Sequence, residues 1–130
     1  MITRALIGIK QKDGSVLAIY LQHDGYPAGA GVILGGWYNT KEKIEELLSL
    51  GELISIDTTP ETCVAYHRDL GEELNQASQY GDTREFIRKG FSYWDAEFCY
   101  LFDPGIDRWM VASKSEGYEF FELEVKGANK

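Results

Sequence analysis

Reactive and aromatic side chains are concentrated in residues 20–38, where a predicted strand gives way to a glycine-rich segment. His23 and Asp24 could exchange protons or hold a ligand, and the rings of Tyr26 and Trp37 stand among polar residues. Aromatic rings beside ionisable groups are typical of surfaces that bind small ligands or protein segments. We therefore predict a binding site from these residues: Tyr20, His23, Asp24, Tyr26, Trp37, His67, Arg68 and Asp69. In the alternative interpretation, Tyr26 and Pro27 pin the loop onto the sheet, and Asp24-Gly25 is only a turn.

The chain offers few residues that could complete a catalytic or metal site. His67-Arg68-Asp69-Leu70 matches the start of a protein-kinase catalytic loop, but Leu74 stands where that mechanism needs a metal-holding Asn. If residues 62–68 form a strand, Cys63 and His67 lie about 13 Å apart. One zinc ion, with ligand bonds of ~2.0–2.3 Å, cannot join them. We predict no catalytic residue, no metal and no cofactor, and leave open an acid–base enzyme that uses a His–carboxylate pair.

Charge and composition narrow the class of partner. The formal net charge of −8 disfavours nucleic acid, because neutralising phosphates requires clustered Lys and Arg, and it favours a partner with a basic surface. No run of 18 apolar residues predicts a membrane span, and the first residues do not resemble a signal peptide. Cys63 and Cys99 lie in apolar runs and are predicted to be buried free thiols. Together these features predict a cytoplasmic protein.

The apolar pattern predicts an α+β fold in a single domain, residues 1–130, with two to four short helices on a largely antiparallel sheet of about five strands. The strands are predicted as a hairpin over 2–22, a strand over 62–68 and a hairpin over 96–113. Helices are predicted over 28–38 (irregular), 41–50 (capped by Asn39 or Thr40), 70–80 (weak) and 83–90 (capped by Asp82 with Glu85). The final apolar cluster, Tyr118 to Val125, is predicted to pair at a sheet edge or pack over the sheet, and 126–130 form a tail.

The loop resembles a motif of a widespread family of small phage and prophage proteins whose biochemical activity is unknown. That motif has the form Tyr-x-His-Trp-Asp-Gly-Tyr-Pro, and the matching run here is Tyr20 to Pro27, with Gln22-His23 in place of His-Trp. Weaker matches span residues 14–112: Lys43-Ile44-Glu45-Glu46-Leu47 with Gly51, Arg68-Asp69-x-Gly71-Glu72, and Tyr100-Leu101-Phe102-Asp103 with Trp109. The resemblance implies a phage accessory protein that acts in the bacterial cytosol.

Three functions are consistent with this sequence. The first is a phage-encoded protein that binds and inhibits a host protein, such as an anti-phage defence component, without catalysis. The second is a protein that sequesters a small phosphorylated or nucleotide ligand, with Arg68 as the charge contact. The third is a small hydrolase or transferase that uses His23 or His67 with Asp24 or Asp69.

Overall fold

Strands and helices alternate along the chain in a mixed α+β architecture. The structure, a computed structural model, describes residues 2–123. Within that range the elements are, in chain order, β1 (Ile2–Lys10), β2 (Val16–His23), α1 (Val32–Trp37), α2 (Lys41–Leu48), β3 (Leu53–Ser55), β4 (Val64–Ala65), α3 (Tyr66–Leu70), β5 (Ser78–Tyr80), α4 (Thr83–Ser92), β6 (Phe98–Asp103), β7 (Arg108–Ser113) and β8 (Phe120–Glu122).

The sheet is larger than predicted and mixed. Its eight strands within residues 2–123 run in the order β4-β3-β2-β1-β6-β7-β8, and β5 pairs with β2. The pairings of β1 with β6 and of β2 with β3 are parallel, so the expectation of about five largely antiparallel strands is corrected. The three strands beyond the predicted five, β3, β5 and β8, are each three residues long, too short for an alternation of apolar side chains to be a strong signal.

The two predicted hairpins are confirmed and form the centre of the sheet. β1 pairs antiparallel with β2, and β6 pairs antiparallel with β7. In the first turn, the carboxylate of Asp13 accepts hydrogen bonds from the backbone N–H (2.9 Å) and the hydroxyl of Ser15 (2.6 Å). This pattern is an Asx turn, which closes the chain locally before the strands pair.

Helices cover both faces of the sheet, and each face has its own apolar cluster. On one face, Leu34 of α1 and Ile44 and Leu47 of α2 pack in the same cluster as Ile7 of β1. On the other face, Phe86 of α4 packs in a cluster with alternate residues of the same strands. Side chains of a strand alternate between its faces, so each central strand contributes to both clusters.

The predicted helix starts are confirmed at two places. Thr40, one of the two predicted caps, accepts a hydrogen bond from the backbone N–H of Lys43, and α2 begins at the next residue. Asp82 accepts from the N–H of Glu85, whose carboxylate in turn accepts from the N–H of Gly81. These contacts satisfy N–H groups that have no partner within the first turn of a helix. The irregular helix over 28–38 is confirmed as a π-helical turn, Pro27–Gly31, that continues into α1.

The predicted strand over 62–68 is confirmed only at Val64–Ala65, which form β4, because residues 66–68 belong to α3. The carboxylate of Asp69 accepts a hydrogen bond from the N–H of Ala65 (2.7 Å) just before this short helix begins. Gly71, with a φ of 72°, ends the helix, and the N–H groups of Gly71 and Glu72 return to carbonyls of the first turn. Local capping therefore outweighs the strand-like apolar run over residues 63–66.

The weak helix predicted over 70–80 is also wrong. Residues 71–77 have no regular structure, and 78–80 form β5. Leu74 and Ala77 still line one cavity, so their spacing reflects two half-buried side chains of the loop itself. The last cluster is confirmed at the sheet edge, where β8 pairs with β7, while Val125 and the tail lie outside the described residues. No helix within residues 2–123 is long and apolar enough to cross a bilayer.

Candidate functional site

The glycine-rich loop after β2 is fixed to the end of the sheet by its backbone. The N–H of Gly25 donates to the carbonyl of Thr3 (2.8 Å), and the buried hydroxyl of Tyr100 donates to the carbonyl of Gly25 (2.7 Å). Asp24 has a φ of 58°, and its carbonyl accepts from the N–H of Ala30. The loop is therefore held against β1 and β6 by hydrogen bonds to Thr3 and Tyr100.

The side chains of this loop contribute to its packing. The ring of Tyr26 lies so close to Gly29 that a Cβ there would stand 3.1 Å from its edge. His23 ends β2 opposite Ile2, at the same end of the sheet. Trp37 is the last residue of α1 and is exposed. These positions support the interpretation in which Tyr26 and its neighbours pin the loop.

The residues predicted on the second segment lie on α3, where Arg68 is already engaged. Its guanidinium donates to the carbonyls of Pro60 (3.0 Å) and Cys63 (2.6 Å) and to the carboxylate of Asp69 (3.0 Å). This charged hydrogen bond, together with the N–H of Ala65, lowers the pKa of Asp69. Arg68 and Asp69 therefore hold the turn before α3 against the helix.

The predicted site residues around His23 and those around His67 are linked by the residues next to them in sequence, Gln22 and Tyr66. The hydroxyl of Tyr66 hydrogen-bonds to the side-chain oxygen of Gln22. His67 points elsewhere, because its Nδ1 lies 2.7 Å from the main-chain carbonyl of Glu72. The group that orients His67 is thus a neutral carbonyl, whereas a general base is commonly oriented by a carboxylate.

Both thiols are buried and free, as predicted. The Sγ of Cys63 accepts from the N–H of Asp57 (3.2 Å) and lies 3.7 Å from the hydroxyl of Tyr38. Burial raises the pKa of both Cys63 and Cys99. A thiol in this state is protonated near neutral pH and is a poor nucleophile.

A cleft of about 460 Å³ opens where β2 changes its outer partner. Along this edge, residues 16–18 pair with β5 and Leu21 pairs with β3. Among the described residues, Ile19 and Tyr20 have no strand partner on this side. The cleft lies at this interruption in the sheet, and we call it the edge cleft. Its lining residues are Leu6, Ala18, Ile19, Tyr20, Glu52, Leu74, Asn75, Gln76, Ser78, Tyr80, Tyr93 and Trp94.

Four aromatic side chains give the edge cleft its chemical character. Tyr20 stacks on Trp94 with ring centroids 5.3 Å apart, and the indole N–H of Trp94 donates to the hydroxyl of Tyr80 (2.9 Å). Tyr93 packs edge-on against Trp94 and is 77% exposed. The hydroxyl of Tyr20 accepts from the guanidinium of Arg4 (3.1 Å). Three of the rings are therefore fixed by defined contacts, and the fourth projects into solvent.

The edge cleft carries a negative charge. Glu52 lines it, and one oxygen of its carboxylate accepts from the amide of Asn75 (2.9 Å). None of the described residues that line the cleft is Lys or Arg. Burial raises the pKa of the neighbouring Tyr66 hydroxyl, and electrostatic interactions with Tyr20, Glu52 and Glu72 raise it further. A cationic or neutral group is therefore favoured here over an anion.

A second cavity, of about 480 Å³, lies against α2, where aliphatic side chains supply much of its wall. Leu17, Leu48 and Leu74 line it, with Ser49 and Glu45 at polar positions. Leu74 and Gln76 also line the edge cleft, so two residues of the loop over 71–77 lie between the two spaces. The aliphatic cavity has no aromatic wall and fewer converging polar groups, which makes the edge cleft the better candidate site.

Sequence reasoning identified one wall of the edge cleft, Tyr20, and missed the others. Tyr93 and Trp94 directly follow α4 and precede the exposed Asp95, so their aromatic-polar context could have been noticed. Glu52 and Asn75 carry no local signal, because they come together only through the fold.

The described residues include no group of three or more His, Cys, Asp or Glu side chains arranged to hold a metal ion. No protein-family model matches the chain, and neither a curated protein nor a solved structure matches it.

Proposed function

We propose that the chain is a non-catalytic binding protein whose edge cleft receives part of a partner protein with a basic surface. The observation that carries the proposal is the cluster of Tyr20, Tyr93 and Trp94 beside Glu52 at an interruption of the sheet. Aromatic residues are enriched at the energetic centres of protein interfaces, and a carboxylate complements a basic partner. The family resemblance extends the proposal to a protein of the bacterial host, such as a defence component that a phage protein inhibits.

The two other functions suggested by the sequence receive less support from the geometry. A phosphorylated ligand requires converging cations, but Arg68 already donates to three carbonyls and a carboxylate. An acid–base enzyme requires a His–carboxylate pair, but His67 lies against a main-chain carbonyl. His23 is the last residue of β2, and the loop that follows it is anchored to the sheet through Gly25.

Site-specific photocrosslinking tests the proposal. A benzoylphenylalanine at Tyr93 lies at the cleft, and one at Ile106, also an exposed apolar residue, lies in the turn between β6 and β7 and serves as the control. In bacterial lysate we expect a discrete crosslinked protein from position 93 that is absent from position 106. Unlabelled wild-type protein competes for it, and Tyr93→Ala competes at least roughly tenfold less well, the loss expected for an interface hot spot.

Two results would contradict the proposal. The first is the same set of crosslinked proteins from positions 93 and 106. The second is competition by Tyr93→Ala at the wild-type concentration. Because Tyr93 is mostly exposed, we expect this variant to unfold at the wild-type urea concentration, so a loss of competition does not reflect misfolding.

A further inference from the structure

The edge cleft has the features of a site for one positively charged side chain. Its walls are aromatic, its lining charge is negative, and its volume of about 460 Å³ suits a side chain better than a folded element. Resting on the proposed function, we infer that the edge cleft binds a cationic side chain of the partner, arginine in preference to lysine. A planar guanidinium stacks on aromatic rings and donates to carboxylates, whereas an ammonium is a compact, strongly hydrated charge.

Glu52 is the counter-charge for this cation. Asn75 donates to one carboxylate oxygen of Glu52, and no described residue donates to the other. The amide therefore orients the carboxylate while an oxygen stays available to a ligand. An ion pair in a partly enclosed cleft is screened less than one on an open surface, so it discriminates better between charged and neutral ligands.

The aromatic walls are positioned before a ligand arrives. Trp94 is held between its stack on Tyr20 and its hydrogen bond to Tyr80. The guanidinium of Arg4 donates to the hydroxyl of Tyr20 and lies 3.9 Å from the carboxylate of Asp95. The positive charge of Arg4 is therefore partly balanced outside the cleft, and rings fixed in advance reduce the entropy lost on binding.

Small amide-capped amino acids distinguish a cation site from a site for any flat group. The probes are N-acetylarginine amide, N-acetyllysine amide with a free ε-ammonium, and N-acetylcitrulline amide, which keeps the shape of arginine without its charge. Binding is followed by the NMR shift of the Trp94 indole N–H, assigned with Trp94→Phe. We expect arginine to bind most tightly and citrulline to bind about tenfold more weakly, equivalent to about 1.4 kcal/mol.

A charge-matched pair of variants tests the role of Glu52. Glu52→Gln removes the negative charge at the cleft, and Glu46→Gln removes one on the exposed side of α2. We expect Glu52→Gln to weaken arginine binding about tenfold and to leave citrulline binding unchanged. Glu46→Gln is expected to bind both probes as the wild type does.

The inference is overturned if citrulline binds as tightly as arginine, if both glutamate variants weaken arginine equally, or if inorganic phosphate shifts Trp94 at lower concentration than arginine. Its failure is separable from that of the proposed function. If a partner is crosslinked and Glu52→Gln does not weaken its binding, the cation site is refuted and the proposed binding function stands. If arginine binds but no partner is crosslinked, the cation site stands and the proposed function is refuted.

Discussion

Replacing Gly25 by alanine tests whether the glycine-rich loop is a structural anchor. A Cβ at this position would lie 2.5 Å from the carbonyl oxygen of Thr3 and 2.7 Å from the Cβ of Ala5. Both atoms belong to β1, a central strand that cannot yield as a flexible side chain would. The φ of Gly25 lies outside the left-handed region, so the cost is steric and not conformational. The loop must move away from the sheet.

That movement removes two hydrogen bonds at once. The N–H of Gly25 loses the carbonyl of Thr3, and the hydroxyl of Tyr100, fully buried, loses the carbonyl of Gly25. Each bond contributes about 1 kcal/mol net, a buried hydroxyl left unpaired costs about 1–3 kcal/mol, and overpacking costs a similar amount. We expect Gly25→Ala to lower the free energy of unfolding by about 3 kcal/mol or more.

Urea denaturation followed by tryptophan fluorescence measures this loss. Gly81→Ala is the matched control, because the atom nearest to its Cβ would be 3.8 Å away, and we expect no loss of stability from it. Tyr100→Phe should cost about 1–3 kcal/mol alone. Combined with Gly25→Ala it should cost less than the sum, because both remove the same hydrogen bond. A Gly25→Ala protein within about 0.5 kcal/mol of the wild type, or strict additivity, would refute the anchoring role.

Two further predictions concern α4 and α3. Gly90→Ala places a Cβ 2.5 Å from the Sγ of Cys99, so overpacking should lower the free energy of unfolding by about 1–3 kcal/mol, less the roughly 1 kcal/mol gained in helix propensity. In a double-mutant cycle measured by urea denaturation, adding Cys99→Ala should recover most of the loss. Equal losses with and without Cys99 would contradict the close contact. Asp69→Asn should lower stability at pH 7, because the carboxylate has a lowered pKa in the folded state. The stability that this carboxylate contributes is present above its unfolded pKa of about 3.9 and is lost as the pH falls through the lower folded value. The melting temperatures of the two proteins should therefore converge in acid. A difference that stays constant at all pH values would show that the charge of Asp69 is not the cause.

The long, regular elements could be predicted from the sequence, since their signals are local. β1 and β2 are largely apolar runs of nine and eight residues, and Thr40 and Asp82 mark helix starts within one turn. The segment around Tyr66 could not, because its apolar run over 63–66 is typical of a strand while Asp69 and Gly71 impose a helical turn. Short-range hydrogen bonds of this kind outweigh a weak apolar pattern.

Tyr20 is the one predicted site residue that also lines the edge cleft. It stands out because it belongs to the aromatic group near the loop. Glu52, Asn75 and Trp94 are far from Tyr20 along the chain, so no spacing rule connects them. Arg68 looked like a ligand contact because an isolated arginine in a polar segment gives no sign that three nearby carbonyls will accept its hydrogens.

The position of the edge cleft follows from the direction of two short strands. β3 runs parallel to β2 near its end, whereas β5 runs antiparallel to β2 near its start. The chain between them leaves β4, passes through α3 and returns over residues 71–77, so neither strand extends across the middle of the β2 edge. The side chain of Tyr20 projects from this gap, and the loop that carries Asn75 borders it. A binding site here thus requires no distortion of the central strands, which explains how a tightly anchored core can present an open aromatic surface at its edge.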